Sequence, residues 1–219
     1  MQGILVVMRG ASIGSYASSR NYYLSPEDYE FLVAVLAYYF DLEDVTLSGG
    51  DPFVRKDFRE IGDKIAAFGL RTTALTKGLP LFSKDGEKYI KEKAGNLSRI
   101  IFSIDFMDAR RHAAVNLPLV SEKIAAKALA KTLTALEKSR KAGYRIDINC
   151  VVPPVDFGNK KEVRAAFHNT KRIIEFALES GVSKIKFIEL DLKSTLGKPY
   201  IEEYFRNMKK AGYFGDMKT

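Results

Sequence analysis

The chain has 219 residues, of which 46% are hydrophobic and 28% charged, with a formal net charge of +8. That length can bury one sizeable core, and that composition excludes wholesale disorder. A single cysteine, Cys150, excludes an intramolecular disulfide framework, and with only His112 and His168 beside it no zinc constellation can be assembled.

In chain order, Ile4–Met8 reads as a compact apolar strand, too short and wrongly flanked for a signal peptide. A small-residue segment without apolar period, Ser12–Ser19, follows and is long for a connector, which points to a functional loop. Ser25 as N-cap, Pro26 at the first position and Glu27 and Asp28 in the first turn predict a helix through Tyr39. It is apolar on most faces and is therefore expected to be well buried. Val45–Ser48 predicts a strand that breaks into Gly49-Gly50-Asp51-Pro52. The two glycines allow a sharp turn and a close backbone approach to a ligand, and Pro52 biases Asp51 toward an extended conformation.

Asp57–Phe68 has helical spacing and closes on Gly69; Arg71–Leu75 is a short strand ending in Thr76-Lys77-Gly78. Glu87–Ala94 reads as a weaker helix, Arg99–Asp105 as a buried strand, and Ser121–Ala142 as a long helix stopped by Gly143. Ile146–Val152 is a further strand ended by Pro153-Pro154, Val163–Glu179 a helix closed by Gly181, and Lys184–Leu190 a last strand. Residues Tyr200–Ala211 have the pattern of a final helix.

Apolar strands alternating with amphipathic helices predict an α/β fold with a parallel sheet, either an open doubly wound sheet or a full or partial barrel. In both, ligands sit at the C-terminal ends of the strands. Those ends carry Ser12–Ser19, Gly49–Pro52, Thr76–Gly78, Ser103–Asp105, Asn149–Pro154 and Glu189–Lys193. One domain over 1–219 is expected, with a core at about 3–193 and a tail at 194–219.

These strand ends together resemble the radical S-adenosylmethionine superfamily, and within it the MoaA type of molybdenum-cofactor biosynthesis. The segments that carry the resemblance are V-T-L-S-G-G-D-P-F-V-R-K-D-F, with Asp in place of the family's Glu, then T-K-G, F-S-I-D, I-N-C-V-V and K-F-I-E-L. The resemblance implies a partial (β/α)6 barrel of the TIM type. It further implies that Gly49, Gly50 and Asp51, with Pro52 behind them, offer backbone groups to the methionine ammonium of S-adenosylmethionine. Thr76 would belong to the same mouth, Ser103 and Asn149 would hydrogen-bond the carboxylate or ribose, and Ile188 to Leu190 would edge the adenine.

The first loop departs from the family. Its C-x-x-x-C-x-x-C motif, whose thiolates hold a 4Fe-4S cluster, is matched here by Ala11, Ser15 and Ser18. Alanine has no donor atom, and serine hydroxyls are poor ligands for iron in such a cluster. As written, the chain is expected to hold no cluster. Either cysteines stand at these positions in the natural gene, or a natural relative has lost the cluster and kept the fold as a nucleotide-binding or partner-binding pseudoenzyme.

A Schiff-base aldolase barrel is a second class, with Lys184, Lys186 or Lys77 as the amine; the alternation with Ile185 and Phe187 more simply turns Lys184 and Lys186 toward the outer helices or solvent. The positive charge favours anionic partners, a small-molecule or nucleotide ligand first. Nucleic acid lacks a supporting motif, because Lys123, Lys127, Lys131, Lys138 and Lys141 read as a solvated helical face. A protein partner could use the aromatic, basic tail Tyr200–Phe214. No apolar run is long enough to span a membrane, and the expected location is the cytoplasm.

Overall fold

The computed structural model describes residues 3–8, 24–48, 51–92, 97–109, 111–112, 121–152 and 158–189. Ala11, Ser15, Ser18 and the rest of the Ser12–Ser19 loop, Gly49, Gly50, Pro153-Pro154, Leu190 and the final helix at Tyr200–Ala211 lie outside the described residues.

Strands β1 (Gly3–Met8), β2 (Leu42–Ser48), β3 (Arg71–Thr76), β4 (Leu97–Ser103), β5 (Arg145–Val152) and β6 (Lys184–Glu189) form one sheet in sequential order. Every neighbouring pair is parallel. Helices α1 (Pro26–Tyr39), α2 (Phe58–Ala66), α3 (Lys84–Glu92), α4 (Glu122–Lys141) and α5 (Lys160–Glu179) make the crossovers. Crossovers between parallel strands are right-handed, so a sheet in strictly sequential order carries all its helices on one face. This decides between the two expected windings: the sheet is a curled, partial (β/α) barrel, and none of these five helices covers its concave face.

The helix-facing side supplies the core. Val45, Leu47, Ala74, Ile100, Phe102, Ile146, Ile148 and Cys150 pack there with Phe58, Ile61, Ile65, Leu136 and Ile173 from the helices. Full burial of each large apolar side chain contributes roughly 1.5–3 kcal/mol. The strands are not apolar throughout, however. Alternating with the core set are Asp44, Thr46, Thr73, Arg99, Ser103, Asp147 and Asn149, together with Leu75, Ile101, Val151 and Ile188, so the concave face is mixed, with polar residues in the majority.

Local chemistry explains the element ends. Ser25 Oγ accepts from the Asp28 N–H at 3.2 Å while the Asp28 carboxylate accepts from the Ser25 N–H at 2.7 Å, a reciprocal cap on α1. Two single-turn 3-10 helices, Pro52–Val54 and Pro80–Phe82, stand between strand and helix after β2 and β3. Each begins at a proline, which has its φ already set for a tight turn. The strand after α3 ends at Ser103, two residues earlier than expected, because the Asp105 side chain turns away to accept from the Val151 N–H at 2.7 Å.

Helix α1 departs from expectation. Only Tyr29 and Val33 are buried, while Phe31 is 72% and Tyr38 82% exposed, with Val35, Tyr39 and Phe40 exposed as well. The helix follows β1, the end strand of the sheet, and rests one face on the sheet beside α2, where Lys64 bonds Glu30 at 2.5 Å. Apolar composition does not set the number of neighbouring layers; position in the sheet does.

Candidate functional site

The strand ends of β2 to β6 meet at one rim, and the described candidates fall into two groups. Asp51 and Thr76 are engaged within the protein. Asp51 Oδ2 accepts from Thr76 Oγ1 at 2.6 Å and from the Lys77 N–H at 2.9 Å, while Oδ1 accepts from the Phe53 N–H at 3.2 Å. Thr76 is 2% exposed, and its Oγ1 also accepts from the Gly78 N–H at 2.8 Å. Burial is the larger influence on Asp51 and pushes its carboxyl above the usual range, against the lowering effect of these donors and of the Lys77 charge. Pro52 is buried beneath this turn, and Asp51 itself is extended, at φ −104° and ψ 115°, as the residue before proline prefers.

The turn after β3 is held from the other side too. Thr132 Oγ1 on α4 donates to the Lys77 carbonyl at 2.8 Å. Gly78 has φ +81°, and a Cβ there would lie 3.0 Å from Phe102 Cε1 and 3.2 Å from Thr132 Cγ2. The glycine of T-K-G is therefore required by both backbone angle and space.

Ser103 and Asn149 form the second group. They are partners in the parallel register of β4 and β5, half-buried on the concave face, and neither side chain hydrogen-bonds another described residue. Ile188 on β6 stands beside Val151 on the same face as Asn149, and is half-buried. The turn that carries Ser103 is knotted to α5 through a residue that sequence reasoning missed. Asn169 Nδ2 donates to the Asp105 carbonyl at 2.8 Å, and Asn169 Oδ1 accepts from the Met107 N–H at 2.9 Å. A buried asparagine inside an amphipathic helix was the signal that could have found it. His112 is buried near the same turn; burial lowers its imidazole pKa, with Asp105 opposing and Lys77 assisting.

Lys184 and Lys186 do not face the helix layer. Ile185 and Phe187 pack against the core, so the lysines project on the concave side, exposed, with Lys186 beside Asn149 in register. Their exposure removes the desolvation that activates a Schiff-base lysine. Deeper in the barrel lies a floor that was also not foreseen. Arg99 sits 3.6 Å from Asp44 Oδ2 and 3.5 Å from Asp147 Oδ2, and donates to Thr73 Oγ1 at 3.1 Å. Thr73 Oγ1 in turn donates to Asp44 at 3.1 Å. Cys150 lies on the helix side of β5, 2% exposed, where burial pushes its thiol up to about 12.

No protein-family model matches the chain. Among curated proteins, it is 31% identical over 151 residues to the GTP 3',8-cyclase of Marinobacter nauticus, covering 67% of this chain and 38% of that protein. It is 28% identical over 115 residues to an S-adenosylmethionine-dependent nucleotide dehydratase of Lacinutrix mariniflava, covering 52% of this chain and 23% of that protein. Among solved structures, Streptococcus suis SuiB bound to S-adenosylmethionine superposes with a TM-score of 0.62 at 13% identity, over 90% of this chain and 42% of that one. The chain is thus related to the radical S-adenosylmethionine proteins of the MoaA type, with their partial-barrel fold. It spans less than half the length of these curated relatives.

Proposed function

We propose that the barrel mouth binds S-adenosylmethionine without an iron-sulfur cluster, making the chain a cluster-less relative of radical S-adenosylmethionine enzymes. The observation that carries this is the contrast between the two polar groups at the rim. Asp51 and Thr76 have their hydrogen bonds inside the protein, whereas Ser103 and Asn149 stand side by side with theirs free of described partners. Polar side chains that reach solvent and make no hydrogen bond within the described residues have donors and acceptors to offer a ligand. Ser103 and Asn149 would take the carboxylate or ribose of the ligand, Gly49 and Gly50 would offer backbone carbonyls to its ammonium, and Ile188 and Leu190 would pack on the adenine. Lys186, next to Asn149 in register, would add a positive charge beside the carboxylate.

The donor set does not fit a 4Fe-4S cluster. Ala11, Ser15 and Ser18 provide no thiolate, and Cys150 is buried on the helix side of β5 with its proton held up to about 12. No radical step is therefore assigned to the chain as its sequence stands. The exposed lysines of the concave face, and the nucleotide chemistry in the names of its relatives, favour an anionic, nucleotide-type second ligand.

Calorimetric titration of the iron-free protein with S-adenosylmethionine tests the reading. One-to-one binding that weakens in Asn149→Ala supports it; neither heat nor thermal shift with S-adenosylmethionine or S-adenosylhomocysteine would overturn it. Restoring the motif in an Ala11→Cys, Ser15→Cys, Ser18→Cys variant should yield a brown protein on anaerobic reconstitution if the loop retains the cluster spacing.

A further inference from the structure

Helix α1 turns much of its apolar surface outward. Phe31 is 72%, Tyr38 82% and Tyr39 71% exposed, and Phe40, which caps the helix, is 58% exposed. At about 100° per residue, Phe31, Val35 and Tyr38 fall within one arc of about 60°, opposite the buried pair Tyr29 and Val33.

This face is held firmly from behind. Ser25 and Asp28 cap the helix reciprocally, Lys64 of α2 bonds Glu30, and the Arg55 guanidinium lies 5.5 Å from the centre of the Tyr29 ring. Tyr38 and Tyr39 stand edge to face with ring centres 5.0 Å apart, so the exposed rings support each other. Side chains ordered in advance lose little freedom on being covered.

Each aromatic side chain has roughly 150–250 Å² to bury, so Phe31, Tyr38, Tyr39 and Phe40 leave roughly 400–700 Å² open on one chain. A patch of that size on a protein surface commonly marks an interaction site. Two such faces brought together cover roughly 800–1,400 Å², which reaches the size at which a specific interface becomes stable.

Charge limits what can cover this face. Glu27 and Asp28 are exposed at one end of it, and α1 contains no lysine or arginine. Helices that lie on a lipid surface carry basic residues on their polar side, so a membrane does not suit it. A parallel pair of α1 helices would stack Glu27 and Asp28 of one chain on those of the other. An antiparallel pair separates these carboxylates and brings them to the Tyr38 and Tyr39 end of the opposite chain, where phenol hydroxyls can donate to them.

We propose that the outer face of α1 is the interface of a homodimer, formed with a second copy of this chain about a two-fold axis between Phe31 and Val35, the two helices antiparallel. The contact is isologous: Phe31 packs on Val35 of the second copy, Val35 on its Phe31, and Tyr38 lies over its Asp28. Because α1 is on the outside of the barrel, this pairing is independent of what the mouth binds.

Sedimentation velocity of the intact chain across the micromolar range tests the interface, and the dimer fraction is expected to grow with concentration. Phe31→Lys and Val35→Glu, each first shown to unfold cooperatively at the wild-type urea midpoint, should each weaken self-association by about tenfold or more, since each buries an unpaired charge. Mixed together, the two variants should associate again to within about tenfold of the wild type, because the new ammonium then faces the new carboxylate. A wild-type chain that stays monomeric throughout would overturn the proposal, whether the face stays open or is covered by another segment or a different protein. A dimer untouched by both substitutions would place the interface elsewhere and overturn it as well. Loss of the dimer in both variants, without recovery on mixing, would overturn the antiparallel pairing.

Discussion

Arg99 on β4 reaches across β3 to Asp44 on β2, with 3.6 Å between Nη2 and the carboxylate, while its Nη1 lies 3.5 Å from Asp147 on β5. One guanidinium therefore ties four successive strands, because Thr73 of β3 is bonded to both Arg99 and Asp44. Asp44 Oδ1 and Asp147 Oδ1 are buried without a hydrogen bond among the described residues. Arg145 Nε, at 3.5 Å from Asp147 Oδ1, is near enough for charge attraction but does not bond it. Replacing Arg99 by Met would leave two buried carboxylates facing each other's field, and is expected to cost about 3–5 kcal/mol. Urea unfolding measures it, and Arg99→Lys, which keeps the charge without the planar fork, should recover part of the loss.

Gly78→Ala tests the turn beneath the mouth. The new methyl meets Phe102, which is fully buried, at 3.0 Å, on a backbone at φ +81°. A loss of about 2 kcal/mol or more in chemical denaturation is expected, from strain and overpacking together. A loss within experimental error would show that Phe102 gives way.

Ser103→Ala and Asn149→Ala should separate stability from binding. Neither side chain bonds a described residue, so each change is expected to move unfolding by no more than about 0.5 kcal/mol. S-adenosylmethionine binding should fall about tenfold in each, the size of a lost hydrogen bond to a charged ligand group. Equal losses of stability and affinity would mark these residues as structural.

Cys150 should resist thiol reagents. Its proton is held up to about 12 by burial, with the Asp105 charge adding to the effect, and the side chain is 2% exposed. Labelling by a disulfide reagent at pH 8 should follow global unfolding in urea rather than precede it.

Alkali should destabilise the fold through Tyr144. Burial raises its phenol from 10.0 to about 12, and the hydroxyl donates to the Tyr89 carbonyl at 3.0 Å. The unfolded chain ionises first, so this contribution is complete below pH 10 and is lost as pH climbs toward 12. At about 1.4 kcal/mol per pKa unit the loss is on the order of 3 kcal/mol. Urea midpoints measured between pH 8 and pH 11 should fall, and less steeply in Tyr144→Phe.

Much of the fold was legible from local chemistry. The Ser25–Asp28 cap and the glycine after α4 are short-range signals, and they mark the ends where the structure has them. The mouth was legible as a set of strand ends for the same reason. Within it, the different engagement of Thr76 and Ser103 was not, although both are hydroxyl residues at strand ends. Thr76 faces Asp51, 25 positions away, whereas Ser103 faces Asn149 across a strand pair.

By itself the sequence determined which of the described segments are strand and which helix, because periodicity, caps and turn residues act over a few positions. It also determined the absence of thiolates at positions 11, 15 and 18. Tertiary structure alone decided that the five crossover helices α1 to α5 lie on one side, that α1 turns Phe31 and Tyr38 outward, that Lys186 lines the concave face, and that Arg99 is held between Asp44 and Asp147. Each of those depends on register between strands distant in the chain, and a shift of one residue would send every side chain to the opposite face.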